Sequence, residues 1–436
     1  MEETLQIDWS FLERMGENPF FAMWFLFANG GWIIFLWLMV TSAVRYWQGY
    51  KQGVFTAKKV WVVLAIDIPK LQEQGPRAIE NMFAYLAGAH SSNTWTEDWL
   101  VGRTQDTISC EIISIEGRVQ FVIRTTKSMR DLVESAIYAQ YPDAEITQVE
   151  DYSRNVPGKY PDAEWDLWGT EMIPTKSDIY PLKTYPYFED KIAMEFKDPI
   201  TALLESLSRL GPGEQVWIQY VLLPIAQGDF YKKAEAAIKK LKGEKTEAKK
   251  SIADQMVDLP LKGMGFVAET LIGGAPAAPA KKESSPSKIS AMTQGEKDVL
   301  TAIELKASKI VFKTKVRFIY VAKKAVMSKP RAVYPFIGAI KQFNTNHLLS
   351  LKPEGKKVGV SGALWFFKQA RNAGRKERLM SAYRSRSTWM GMPMFHLNVE
   401  ELATLWHFPQ SLKSKTPQLK KTESKRAEPP PNLPFE

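Results

Sequence analysis

The stretch TISCEIISIEGRVQFVIRT, residues 107–125, decides how the chain is read. Residues 107–115 and 118–125 are two β-rich runs on either side of Glu116-Gly117, a two-residue turn signal, so a hairpin is expected. Ile108, Cys110 and Ile112 fall on one face of the first run, which makes Cys110 a buried small hydrophobe and not a nucleophile. Upstream, VWVVLAI at 60–66 is a short apolar strand. Residues 76–89 place Ile79, Met82, Phe83 and Leu86 at helical spacing just after Pro76. Downstream, 128–139 reads as a helix with Ser128 as N-cap and Leu132, Val133, Ala136 and Ile137 on one face, and 144–149 reads as a closing strand. The order β-α-β-β-α-β is that of a ferredoxin-like sandwich, assigned to residues 58–152.

The pattern begins again over 165–400. A strand at 166–174 and a helix at 199–210, stopped by Gly211-Pro212-Gly213, lead into the strand QVWIQYVLL at 215–223. An insertion at about 228–308 follows. It holds a Lys-rich helix at 229–242 and a low-complexity stretch at 273–290, too poor in apolar residues to offset ordering and therefore expected to be flexible. Thr293 and Glu296 have capping-box spacing ahead of a helix at 293–307. KIVFKTKVRFIYV at 309–321 is a long strand, followed by helices at 329–343 and 362–386 and a last strand at 394–399. The expected fold is α+β: a membrane helix and two ferredoxin-like units, the second split by its insertion.

The membrane helix is assigned to 19–45. Residues 20–44 contain no Asp, Glu, Lys or Arg. As a helix they measure about 37 Å, enough for a ~30 Å hydrocarbon core. Trp24 and Trp47 lie near the ends, where indoles favour the interface. Residues 1–18 are acidic, which argues against a signal peptide, whereas Arg45, Lys51, Lys58 and Lys59 follow the span. Positive charge stays inside, so the expectation is a single-pass protein of the cytoplasmic membrane with its N-terminus outside and its bulk in the cytoplasm. One cysteine in so large a body suits a reducing compartment.

The 436 residues carry 58 Lys and Arg against 48 Asp and Glu, a balance that favours acidic partners. The single cysteine excludes an internal disulfide and a cysteine-based metal site, and the four histidines are dispersed. His396 and His407 are too far apart for a helix-borne metal pair, and no phosphate-binding loop is present. KGMGFVAE at 262–269 echoes an RNA-recognition signature, but Met264 and Glu269 occupy aromatic positions. No catalytic residue, cofactor or metal is expected, and the chain reads as a non-enzyme.

Charge is concentrated in two places. On the 309–321 strand, Lys313, Lys315 and Arg317 share a face with Lys309, a row that an open sheet face would present to nucleic acid; a solvated strand face is the plain alternative. Residues 351–390 hold ten Lys and Arg against two Glu, interleaved with Trp365, Phe366, Phe367, Leu379 and Tyr383. Lys368, Arg371, Arg375, Arg378, Arg384 and Arg386 are the candidate contacts to DNA or membrane lipid, with a solvated structural helix as the other reading.

The C-terminal segment FHLNVEELATLWHFP, Phe395 to Pro409, is followed by Thr416-Pro417 and by EPPPNLP at 428–434. It resembles the segment just ahead of the ATPase core in coupling-type ATPases of bacterial type IV secretion and conjugation systems. The stretch from Gly295-Glu296-Lys297 through Ile303-Glu304-Leu305-Lys306 to Arg317-Phe318-Ile319-Tyr320 is similar to the same N-terminal region, which is membrane-anchored ahead of a RecA/HerA-type motor. The chain stops at Glu436, where the resemblance places that motor, so the expectation is a motor ATPase supplied in trans. Residues 401–436 are then a helix start and a Pro-rich docking tail, polyproline being ordered before it binds. The docking candidates are Leu397, Asn398, Glu400, Glu401, Leu405, His407, Phe408, Pro409, Pro430 and Leu433. Ferredoxin-like sheets pair by their edges, which makes a homo-oligomer a further candidate.

Overall fold

A computed structural model describes residues 19–69, 74–190, 195–196, 198–242, 292–362, 366–409 and 421–425. The stretch expected to be flexible, 273–290, lies outside the described residues, as do residues 1–18, Pro430 and Leu433. The chain divides into two compact units.

The first unit comprises the chain through Val60 together with Ser91–Gln105. Helix α1 (Pro19–Leu26) passes through a π-helical segment (Phe27–Gly31) into α2 (Trp32–Ala57). The π segment contains Asn29-Gly30-Gly31, with Gly30 at φ +107°, and so divides the apolar run. Among the described residues no helix is long and apolar enough to cross a membrane. The physical reason is that α1 has only eight residues and the second half of α2 is polar. No residue of α2 is buried, and Phe35, Trp37 and Met39 are nearly two-thirds exposed.

The second unit is built on a large antiparallel sheet. Its elements in chain order begin with β1 (Trp61–Asp67), α3 (Pro76–Leu86), β2 (Ile108–Ile115), β3 (Arg118–Thr126), α4 (Arg130–Tyr138) and β4 (Glu145–Val149). Then come β5 (Trp165–Pro174), the short pair β6 (Glu189–Asp190) and β7 (Glu195–Phe196), α5 (Thr201–Ser208), β8 (Glu214–Pro224) and α6 (Gln227–Lys242). Past residue 292 lie α7 (Gln294–Ser308), β9 (Val311–Lys323), α8 (Lys329–Gln342), β10 (Leu351–Pro353) and α9 (Lys368–Arg384). β11 (Phe395–Asn398), α10 (Val399–Leu405) and β12 (Lys421–Lys425) complete the set.

Across the sheet the strands run β10-β5-β9-β8-β2-β3-β1-β4-β12, every pair antiparallel. The order within β4-β1-β3-β2 repeats as β10-β5-β9-β8, and the two quartets join through β2 and β8 over the pairs Ile108↔Leu222 to Ile115↔Gln215. An edge-to-edge pairing thus joins two parts of one chain. The 107–125 stretch forms the expected hairpin: Glu116 (φ 54°) and Gly117 (φ +82°) both adopt the positive φ of a type I′ turn. A Cβ on Gly117 would lie 2.6 Å from the Ser208 carbonyl oxygen, so this turn packs on the end of α5.

Two expectations need correction. Met129, and not Ser128, occupies the N-cap of α4, because a 3-10 turn at Lys127–Met129 precedes it and the Ser128 hydroxyl pairs with Thr126. The last strand of the second quartet is β10, a three-residue strand beside β5, and not 394–399. β11 instead pairs with β9 from Phe395↔Thr314 to Asn398↔Val311. β9 is longer than its neighbour: its pairing with β5 ends at Met172↔Val316, which leaves its first residues open on that side, and β11 fills the gap.

Both faces of the sheet are covered. On one, α3, α4, α5, α8 and α10 bury the main core, with Trp406 packed among Phe83, Phe121 and Phe408 at ring-centre distances of 5.9, 5.6 and 5.1 Å. On the other, Leu379, Met380 and Tyr383 of α9 join Tyr152, Val156 and Tyr160 over Val63, Val122, Trp217 and Ile319. The expectation of an open cationic face therefore fails.

Candidate functional site

Beneath α9 a row of polar side chains crosses four strands of an otherwise apolar sheet. Glu111 on β2 stands opposite Gln219 on β8, Gln219 opposite Arg317 on β9, and Arg317 opposite Glu171 on β5. The register brings them into a hydrogen-bonded line. Gln219 donates to Glu111 at 2.9 Å, and Arg317 donates to Gln219 at 3.0 Å and to Glu171 at 2.9 Å. At the Glu111 end the line turns upward to Arg386, just past α9, which takes a left-handed conformation (φ 50°). Its guanidinium donates to both oxygens of Glu111, at 3.0 and 3.1 Å, and to Asp151. Tyr152 adds a hydroxyl to Glu111 at 2.7 Å and shares a second contact of 2.7 Å with Tyr383.

The charges are all but sealed from water: the side chains of Glu111, Glu171, Arg317 and Arg386 are 0% exposed. Burial alone pushes the Glu111 carboxyl up, but Arg386 beside it and the hydroxyls of Ser109 and Tyr152 bring it below its ordinary value. Asp151 follows the same balance through Arg386 and Ser153. Burial raises both tyrosines well above the usual phenol range, with Glu111 adding to it. Lys315, also buried, is pulled down to about 8 by burial, Glu171 offsetting part of the loss.

The backbone after α9 is fastened to this row. Arg317 donates to the carbonyls of Ser387 and, at 3.2 Å, Met390, while Lys315 donates to Met390 at 2.7 Å. Glu171 accepts from the Met392 amide, and a Cβ on Gly391 (φ +90°) would collide with its carboxylate, so only glycine fits there. Such buried pairs contribute less to net stability than to fixing one arrangement; here they fix α9 on the sheet. Beside them lies a cavity of about 150 Å³ lined by Glu171, Lys357, Arg375, Arg378, Leu379 and Met392, among others.

The nucleic-acid or lipid candidates are therefore divided. Lys315, Arg317 and Arg386 are interior, because Glu171 and Glu111 supply counter-charges from distant strands. Arg375 donates to the Gly359 and Lys356 carbonyls, Lys376 pairs with Asp166, and Arg384 donates to the carbonyls of Ser153 and Val156. Lys313, Lys368, Arg371 and Arg378 remain on the surface.

The docking candidates through Pro409 are buried. Asn398 caps α10 in a capping box with Glu401. Glu401 meets the enclosed Lys306 ammonium at 3.0 Å, and burial keeps its carboxyl above the ordinary value even so. Glu400 pairs with Lys309, which also reaches Glu80 at 2.7 Å. His407 bonds Asp198 at 2.9 Å, while Leu397, Leu405 and Phe408 are core. This segment is interior because β11 and α10 complete the sheet and its main core. His396 bonds Asp178 at 2.6 Å, a contact that holds the Asp178 carboxyl down at about 2 against the effect of burial. Among the described residues no group of three or more His, Cys, Asp or Glu is placed to hold a metal ion.

Sequence reading missed Glu111, Gln219 and Glu171, the acceptors that make the row. The available signal was a charged or amide residue within each apolar strand, since ionised side chains seldom enter a sheet interior without partners.

Residues 59–422 match the family model for a domain of unknown function, DUF8128. The chain belongs to this family. The DUF8128 match takes in the whole buried row and the segment Ser91–Gln105, and it begins just after α2. No curated protein matches the chain.

Proposed function

We propose that the chain is a membrane-anchored assembly subunit, with the DUF8128 body as a non-enzymatic scaffold. The observation that carries this is the surface of α1 and α2. Phe20, Trp24, Ile34, Phe35, Trp37 and Met39 are all more than 60% exposed on consecutive helical segments, an apolar surface that water does not favour. In a bilayer the same surface is solvated by acyl chains, and a π-helical irregularity is tolerated where backbone bonds stay local. Arg45, Lys51, Lys58 and Lys59 after the apolar run support a cytoplasmic body. In this reading the two quartets are ferredoxin-like repeats fused edge to edge, a reading supported by their common strand order. The resemblance of the sequence to the N-terminal region of conjugation coupling ATPases makes a secretion or DNA-transfer machine the setting, with a motor ATPase in trans as the partner.

Alkaline carbonate washing of membranes from cells expressing the full chain tests the anchor: the protein stays with the pellet, and its release into the supernatant would end the proposal. Partner recovery from detergent extracts tests the assembly role. Because 395–409 is core, the informative truncation stops at Pro409. An ATPase recovered with the full chain and lost with that truncation supports docking through the residues beyond; recovery of no ATPase with either removes the motor from the reading.

A further inference from the structure

The segment Ser91–Gln105 belongs to the same compact unit as α2. Its attachment to the end of that helix is close. The Lys59 ammonium donates to the carbonyl and hydroxyl oxygens of Thr104 at 2.8 and 2.9 Å. Gly102 (φ +72°) lies against the backbone of α2, and a Cβ there would stand 2.6 Å from the Gln52 nitrogen.

Within the segment the charged groups face one another. Glu97 accepts from the Thr94 amide at 2.8 Å and from Arg103 at 2.6 Å, and these bonds hold its carboxyl down at about 2. Asp98 accepts from the Asn93 side chain at 2.7 Å. Beside the small polar Ser92, Thr94 and Thr96, the large side chains that point outward are apolar: Trp95 is 69% exposed, Leu100 58% and Val101 51%, with Trp99 beside Trp95 at a ring-centre distance of 6.5 Å. The uncharged run ends at Val44, and Lys51, where Gly102 touches, lies about 10 Å further along the helix axis. The headgroup layer is roughly 5–8 Å deep on each side of the hydrocarbon. Indole rings held at that level lie within a few ångströms of the interface they favour.

We propose that Ser91–Gln105 is a second membrane contact, seating Trp95, Leu100 and Val101 in the headgroup layer of the leaflet from which α2 emerges. This rests on the anchoring reading above. It assigns the segment a lipid surface as partner, with α2 setting its depth and Gly102 and Thr104 holding it there.

The test uses the full chain in phosphatidylcholine/phosphatidylglycerol vesicles. Cys110 is fully buried, so a fluorophore directed to an introduced surface cysteine labels selectively. Leu100→Cys, Phe35→Cys and Glu205→Cys are each labelled, and quenching by lipids carrying a nitroxide near the headgroup or deep in the acyl chain is compared. The expected result is strong deep quenching at position 35, shallow quenching at position 100 and none at position 205. Quenching at 35 with position 100 as unquenched as 205 overturns this inference and leaves the anchor standing. Position 100 unquenched by lipid yet shielded from aqueous iodide assigns the surface to a protein, a second copy included, and also overturns it. An unquenched position 35 overturns the anchor itself.

Discussion

The two units depart from the usual inside–outside pattern in opposite ways. In α1 and α2, Phe, Trp, Ile and Met are outside and nothing in α2 is buried; in the body, Arg317, Arg386, Lys306, Glu111 and Glu401 are inside. Leaving apolar groups in water and taking charged groups out of it are both costly, and each cost is relieved differently. The body relieves its buried charges internally, through partners at hydrogen-bond distance. The helices bury none of α2 internally, and in the anchoring proposal an external apolar solvent supplies the relief. A surface is therefore read best by asking what satisfies it, not by its composition.

The contrast breaks first at Arg386. Arg386→Met leaves Glu111 and Asp151 without their cation, and breaking a buried pair on one side costs about 3–5 kcal/mol. Urea unfolding of the body should show that loss, and a change under about 1 kcal/mol would mean that water reaches the row. Leu36→Lys probes the other unit. It should cost about 2.5–3.5 kcal/mol of membrane insertion, read as loss from the pelleted membrane fraction, while the body's unfolding midpoint stays put. Gly391→Ala drives a methyl group into the Glu171 carboxylate and should cost about 1–3 kcal/mol, as positive-φ strain does. Unchanged stability there would show that the 387–392 backbone is free to move off the row.

Acid provides a gentler probe. Glu111, Asp151 and Asp178 titrate below their ordinary range in the folded chain, so the unfolded chain takes up protons first. Stability is fully present above a pH of about 4 and falls as pH drops toward 2, and Arg386→Met should flatten that fall. Lys315, lowered to about 8, acts in the opposite sense: its cost is present below pH 8, and stability rises between 8 and 10 as the folded chain sheds that proton. Lys315→Met removes the rise. Smallest of all, Lys368→Glu with Arg378→Glu should shift stability by no more than about 0.5 kcal/mol, as exposed substitutions do. A large fall in polyanion binding by that pair would restore a nucleic-acid role to the exposed part of the basic block.

Much of the strand framework was legible because alternation and turn chemistry are local. The Glu116-Gly117 hairpin and the long strand at 309–321 announce themselves in their own residues. The row beneath α9 does not, since Arg317 and Glu171 are 146 positions apart and Arg386 and Glu111 are 275 apart. With the partner out of view, a strand bearing Lys315 and Arg317 reads as a solvated or ligand-binding face. β10 escaped because three residues, one of them proline, carry no periodicity. The segment Ser91–Gln105 escaped because its meaning lies in what it touches on α2.

The position of β1 has a mechanical consequence. The chain leaves α2 and within four residues enters β1, which is held on one side by β3 over six register pairs and on the other by β4 over five. Antiparallel ladder bonds lie perpendicular to the strand, so a pull transmitted along the chain from the N-terminal side loads both ladders at once in shear instead of peeling them one bond at a time. If the chain is tethered at that end, the load enters the first quartet through an interior strand and not through a free edge.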